Sequence, residues 1–205
     1  MPGSTDDMLG PCMYIQDFEA LSVRCIENFT GLREFLADPT VKALGWPDDV
    51  VEQLLYDHAR NGALQMDYGH IDLNDLTWSR ELVPTGEFLS MPTGPSDHDA
   101  IEQWAALHEY SVSNRERLSH MTGNSRHAGI RAKWEEEGTW LRAPIVLDAR
   151  VIGTARTGLQ LVEGRTRVGV LRGRHRDGLP VAVEHWTWIG RRRSAAETRP
   201  FRPHQ

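Results

Sequence analysis

The run Gly158-Leu159-Gln160-Leu161-Val162-Glu163-Gly164-Arg165-Thr166-Arg167-Val168-Gly169-Val170-Leu171-Arg172-Gly173 constrains this chain more than any other stretch. Leu159 to Val162 is short, with apolar residues at alternating and then adjacent positions, which predicts a strand. Gly164 breaks it. Beyond the glycine, Val168, Gly169 and Leu171 fall at helical spacing, with Arg165, Arg167, Arg172 and Arg174 among them. The pattern is strand, glycine, basic helix start. The first turn of a helix leaves amides unpaired and carries partial positive charge, so it attracts anions, phosphate above all. A glycine there lets a phosphate reach the backbone with no Cβ in the way, and arginine adds a bidentate clamp. The alternative is a tight strand-to-helix turn whose arginines face water. These residues by themselves leave both open.

Charge is distributed unevenly about this run. Residues 1–141 hold 10 Lys+Arg against 24 Asp+Glu, and residues 142–205 hold 13 against 5, so a net charge of −6 conceals −14 followed by +8. A basic final third can hold phosphate or nucleic acid; equally, the two parts can neutralise one another inside the protein. A length of 205 residues with 40% apolar and 25% charged residues suits one globular domain with an extension. No apolar run approaches the roughly 20 residues that span a bilayer, and the acidic start Met1-Pro2-Gly3-Ser4-Thr5-Asp6-Asp7 lacks a secretory pattern. Cys12 and Cys25 alone do not make a disulfide scaffold; they are expected as buried free thiols in a reducing cytoplasm.

Along the chain, residues 1–13 read as a mobile tail, Gln16 to Phe29 as an amphipathic helix, and Pro47-Asp48-Asp49 as the start of a helix that Asn61-Gly62 stops. Asp67, His70, Asp72 and Asp75 cluster in a turn-prone stretch. Their spacing fits no metal loop, so turn capping is expected of them. Leu76 to Pro84 reads as a strand, and residues 84–97, rich in proline and glycine, as a loop, boundary or lid. Ser96-Asp97 is expected to cap a long helix reaching Leu118, followed by a second helix from His127 to Glu137 that ends at Gly138. Pro144 to Leu147 reads as a buried strand, residues 174–178 as a turn, and Pro180 onward as a last strand.

Glu163-Gly164-Arg165-Thr166-Arg167, preceded by Leu161-Val162, resembles the (V/I)-(D/E)-G-x-x-R signature of the ParB/sulfiredoxin-like superfamily. Gly138-Thr139-Trp140-Leu141-Arg142-Ala143-Pro144-Ile145-Val146-Leu147 resembles that family's passage from a helix-ending glycine into "P-I-x-V", and Pro180 to Trp186 its closing strand. The resemblance covers roughly residues 125–190. It implies an α+β fold, a small mixed sheet with flanking helices, for a nucleotide-binding core (67–190), to which the rest of the chain is expected to add a helical N-terminal region (1–66) and a flexible basic tail (191–205). It also implies a site at Gly164, Arg165, Thr166 and Arg167 for the phosphates of CTP or ATP with Mg²⁺. The departures are definite. The early glutamine-proline-arginine motif and a following helix-turn-helix are missing, and Arg165 stands where sulfiredoxins carry the reactive cysteine.

Glu163 beside the phosphates is the candidate catalytic group, as a base or as the orienter of a magnesium-bound water; its alternative role is to pair with an arginine and fix the turn. His175 is a candidate phosphate or base contact. No resident metal site is expected, since no His-x-x-x-His, Cys-x-x-Cys or Walker-type lysine loop is present. Trp140, Trp186 and Trp188 are expected to pack the core, with nucleobase stacking as the alternative. Two functions follow: a nucleotide-binding switch with triphosphatase or phosphotransferase activity, or a non-enzymatic regulatory module that meets nucleic acid or an acidic protein through its basic third. Either is expected in the cytoplasm and away from membranes.

Overall fold

The computed structural model describes residues 11–28, 30–122, 127–153 and 157–194. Among the described residues the fold is α+β, with eleven α-helical segments and a four-stranded mixed sheet. Two compact units divide it, residues 1–76 and 77–205. Residues 1–10 and 195–205, expected as mobile ends, lie outside the described residues.

The first unit is helical. A 3-10 turn (Ile15–Phe18) leads into α1 (Glu19–Glu27), followed by α2 (Gly31–Ala37), α3 (Pro39–Ala43), α4 (Asp48–Val51) and α5 (Gly62–Tyr68). Phe18, Cys25, Phe35, Val50, Leu55 and Tyr68 are buried, and each large apolar side chain among them contributes roughly 1.5–3 kcal/mol. Cys25 fits the expectation of a buried thiol, whereas Cys12 is exposed. The helix opened by Pro47-Asp48-Asp49 widens into a π turn (Glu52–Tyr56), with the Asp57 amide donating to the Glu52 carbonyl at 2.9 Å. Asn61 does more than end that helix. Its Oδ1 accepts from the amides of Ala63 (3.0 Å) and Leu64 (3.2 Å), so it caps α5, and the stretch expected as a turn leaves helix after Tyr68. Asp72 Oδ1 accepts from the amides of Met13 (3.1 Å) and Asn74 (3.0 Å), the turn-capping role expected of it.

The second unit is built on β1 (Leu76–Pro84), α6 (Thr85–Ser90), α7 (Ala100–Ala106), α8 (His108–Thr122), α9 (Ile130–Glu136), β2 (Ile145–Asp148), α10 (Ala149–Ile152), β3 (Leu159–Glu163), α11 (Arg165–Arg176) and β4 (Glu184–Arg192). The sheet runs β1-β4-β2-β3. β2 is parallel to β4, Val146 opposite Ile189, and antiparallel to β3, Val146 opposite Leu161. Ile145 pairs with Glu163, which leaves Val162 as the extra residue of a bulge and bends β3 just before Gly164. Ile145, Val146 and Leu147 are all buried, the signature of a strand covered on both faces. One core joins Val146, Leu161 and Ile189 of the sheet to Phe88, Ile101, Trp134, Val168 and Leu171 of the helices and to Trp140 between α9 and β2.

Four local expectations are corrected. The stretch expected as a loop or lid contains α6 and is held down: Arg172 donates to the carbonyls of Phe88 (3.0 Å) and Met91 (2.9 Å), and the Leu161 amide donates to Pro92 O (2.8 Å). Ser96-Asp97 caps no helix, because the Asp97 carboxylate turns to Arg165; α7 begins after His98 (φ 46°) and Asp99 (φ 62°), both left-handed, and is separated from α8 at Leu107. Residues 174–176 belong to α11 and not to a turn. β4 begins only at Glu184, leaving Val183 exposed, and runs on through Arg191 and Arg192, because Arg191 is drawn into the sheet by Glu81 of β1. Trp140 packs as expected, but Trp186 is 48% exposed, with the Arg80 guanidinium 5.2 Å from its ring centroid. No helix among the described residues is long and apolar enough to cross a membrane.

Candidate functional site

Gly164 joins β3 to α11 in a conformation that other residues resist, φ +109°. A Cβ there would also meet the Pro144 Cβ at 2.6 Å and the Arg167 guanidinium at 3.2 Å. The Val168 amide closes the first helical hydrogen bond on the Gly164 carbonyl (2.9 Å), so the amides of Arg165, Thr166 and Arg167 open the first turn of a 12-residue helix. The local pattern thus folds as a strand, a left-handed glycine and a helix N-terminus.

The side chains of the motif divide between bracing and opening the turn. Arg167 turns inward. Its Nη2 pairs with the Glu163 carboxylate, and its Nη1 donates to the carbonyls of Arg142 (3.2 Å) and Ala143 (3.4 Å). Glu163 and Arg167 therefore tie the end of β3, the first turn of α11 and the entry to β2 together. Arg165 places Nε 2.9 Å from Oδ1 of Asp97, a carboxylate only 8% exposed. Thr166 uses Oγ1 to accept from Arg115 Nη2 at 3.0 Å. His175 stands apart, exposed on the last turn of α11, about 14 Å along the axis from Thr166 at about 1.5 Å per residue. The structure brings Glu163, Gly164, Arg165, Thr166 and Arg167 together and leaves His175 at the other end of the helix.

Arg115, on α8, has no counterpart in the sequence motif. Burial alone pulls its pKa down, and its only partner among the described residues is the neutral Thr166 hydroxyl. A half-buried guanidinium without a carboxylate, set against a helix N-terminus, leaves net positive potential at this point. Arg165 and Arg167 add little to it, because Asp97 and Glu163 neutralise them. The same pattern recurs nearby: Arg172 and Arg176 pair with Glu102, and Arg191 with Glu81. Much of the charge asymmetry in the sequence is thus settled inside the second unit, by acids of its earlier segments.

A second perturbed group lies in the core. His185 is 1% exposed and its pKa is lowered to about 4 by burial. Thr85 Oγ1 donates to the Ala182 carbonyl and so accepts from His185 Nε2 (3.0 Å), while Thr139 Oγ1 donates to Nδ1 (2.7 Å). The network assigns the neutral Nε2–H tautomer. The ring also lies 4.4 Å from that of Trp140, so His185 is a satisfied structural histidine. The sequence marks out neither Arg115 nor Asp97 as a site residue: Asp97 reads there as a helix cap, and Arg115 sits in a polar stretch whose spacing matches any solvated surface. Among the described residues no three His, Cys, Asp or Glu side chains gather as a metal site.

In comparisons with known proteins, the chain matches no family model, no curated protein and no solved structure.

Proposed function

We propose that the start of α11 binds the phosphate group of a nucleotide, CTP or ATP, in the manner of the ParB/sulfiredoxin-like superfamily that its Val162-to-Arg167 motif resembles. The observation that carries this reading is Arg115: a half-buried guanidinium whose partner is the neutral Thr166 hydroxyl, in the first turn of α11. A phosphate there would receive the first-turn amides, the Thr166 hydroxyl and Arg115. Each charge-assisted hydrogen bond is worth about 1.5–3 kcal/mol. Mg²⁺ would arrive on the nucleotide's own phosphates. Glu163, engaged with Arg167, serves as a brace in this reading, so binding rather than hydrolysis is the activity proposed.

The alternative, a regulatory module meeting nucleic acid or an acidic partner through the basic third, draws less support, since Arg165, Arg167, Arg172, Arg176 and Arg191 already have carboxylate partners. The deciding experiment is calorimetric titration with CTP, ATP, GTP and ADP, with and without Mg²⁺. One nucleotide is expected to bind, and Arg115→Gln to weaken it by roughly tenfold or more. Heat from none of the four at millimolar concentration, or unchanged affinity in Arg115→Gln, would remove this reading.

A further inference from the structure

β1 is an edge of the sheet and pairs with β4 antiparallel: the Thr85 amide donates to the Val183 carbonyl (2.9 Å) at one end, and Thr77 Oγ1 to the Arg191 carbonyl (3.5 Å) at the other. That register sets Leu82 opposite Trp186 and Trp78 opposite Gly190, where a Cβ would lie 2.8 Å from the Trp78 ring. Along β4, His185, Thr187 and Ile189 are buried, so Glu184, Trp186 and Trp188 belong to the other face, turned away from the core. Leu82 and Arg80 share it, because Val83 is buried and the Arg80 guanidinium lies over Trp186. Leu82 is 46% exposed and Trp186 48%, although both are large and apolar. Leu141, 44% exposed, flanks β4 on the side away from β1; its stretch accepts at Gly138 O from the Ala182 amide (3.0 Å) and at Pro144 O from the Trp188 amide (2.9 Å). Large apolar side chains left exposed side by side mark a binding surface.

The charges on this face say what covers it. Neither Arg80 nor Glu184 makes an ion pair among the described residues, in a unit where Arg165, Arg167, Arg172, Arg176 and Arg191 all do. The two stand at opposite ends of the patch. Arg80 is opposite Trp188, four residues along β4 from Glu184, which is about 13 Å at about 3.3 Å per residue. A two-fold axis lying in the face, and crossing the strands at the level of Leu82 and Trp186, interchanges those ends. It would stack two such faces about 10 Å apart, Leu82 on Leu82 and Trp186 on Trp186. Arg80 of each protomer would then stand level with the partner's Glu184. The patch is therefore complementary to itself in charge as well as in polarity. A partner carrying a single sign of charge would satisfy one of these residues and be repelled by the other.

We propose that this face of β1 and β4 binds a second copy of the chain, with Leu82 and Trp186 at the centre of a two-fold interface and Arg80 paired with the partner's Glu184. The inference does not depend on nucleotide binding at the start of α11. It is tested by sedimentation velocity and light scattering on the full chain from micromolar to millimolar concentration. The mass is expected to rise from 23.2 kDa toward twice that value. Leu82→Glu is expected to weaken association by roughly tenfold or more, and so are Arg80→Glu and Glu184→Arg taken singly. The double variant Arg80→Glu/Glu184→Arg should recover association to within about threefold of the parent, because the exchanged charges meet again across the axis. Loss of the Arg80–Trp186 contact alone would not be repaired in that way. A chain that stays at 23.2 kDa at millimolar concentration, a dimer indifferent to Leu82→Glu, or a double variant no better than either single one would overturn the proposal.

Discussion

Gly169 of α11 approaches Trp104 of α7 so closely that a Cβ built on the glycine would lie 2.5 Å from the Trp104 Cβ. One turn later Gly173 stands in the same relation to the Ala105 carbonyl and to His108, whose Cβ would be 2.8 Å away. Two glycines four residues apart make a groove in the helix surface, and α7 crosses in it.

Gly173→Ala is therefore expected to destabilise the protein. Alanine gains about 1 kcal/mol in helix propensity over glycine, but overpacking against backbone typically costs about 1–3 kcal/mol, and here the neighbours include the Ala105 carbonyl, which cannot swing aside. Gly86→Ala is the control, since a Cβ at that position meets nothing within 4 Å. Urea unfolding curves should show a lower midpoint for the first variant and an equal or higher one for the second.

His185 should make stability depend on pH. Its folded pKa is about 4, below the ordinary value of 6.5, so the unfolded chain takes up a proton that the folded chain refuses. The stabilising contribution is complete above about pH 6.5 and declines as pH falls toward 4, by up to about 1.4 kcal/mol per pH unit. Denaturant melts at pH 7, 6, 5 and 4 should reveal this slope. His185→Gln should lose that component while retaining the part due to carboxylates.

Arg167→Ala should lower the melting temperature with no ligand present. The substitution strands Glu163 and withdraws the donor from the Arg142 and Ala143 carbonyls, and unpairing a mostly buried charge is typically costly, on the order of 3 kcal/mol. Arg115→Gln removes no carboxylate partner, so its unliganded melting temperature should stay near that of the parent protein. The pair of variants separates bracing from binding.

Asn61→Ala should cost about 1 kcal/mol by uncovering the amides of Ala63 and Leu64, with Asn61→Asp restoring most of it. Amide exchange across Gly62 to Tyr68 is the direct measurement. Faster exchange confined to α5 is the expected pattern.

What the residues alone determined is what neighbours in sequence decide. Leu159 to Glu163 alternates and is a strand; Gly164 is the residue that tolerates φ +109°; Val168 to Leu171 repeats at helical spacing and is a helix. The Glu163–Arg167 pair is also local, four residues apart on one helical turn. Tertiary structure decided the rest, because its causes are distant in the chain. Asp97 reads as a helix cap until Arg165 is placed beside it, and the preference for pairing a buried carboxylate with a cation then outweighs the cap. Arg115 and Thr166 meet across 51 residues, and no periodicity in either segment encodes the meeting. Backbone preference is written residue by residue; which polar groups end up without a partner depends on how the helices pack.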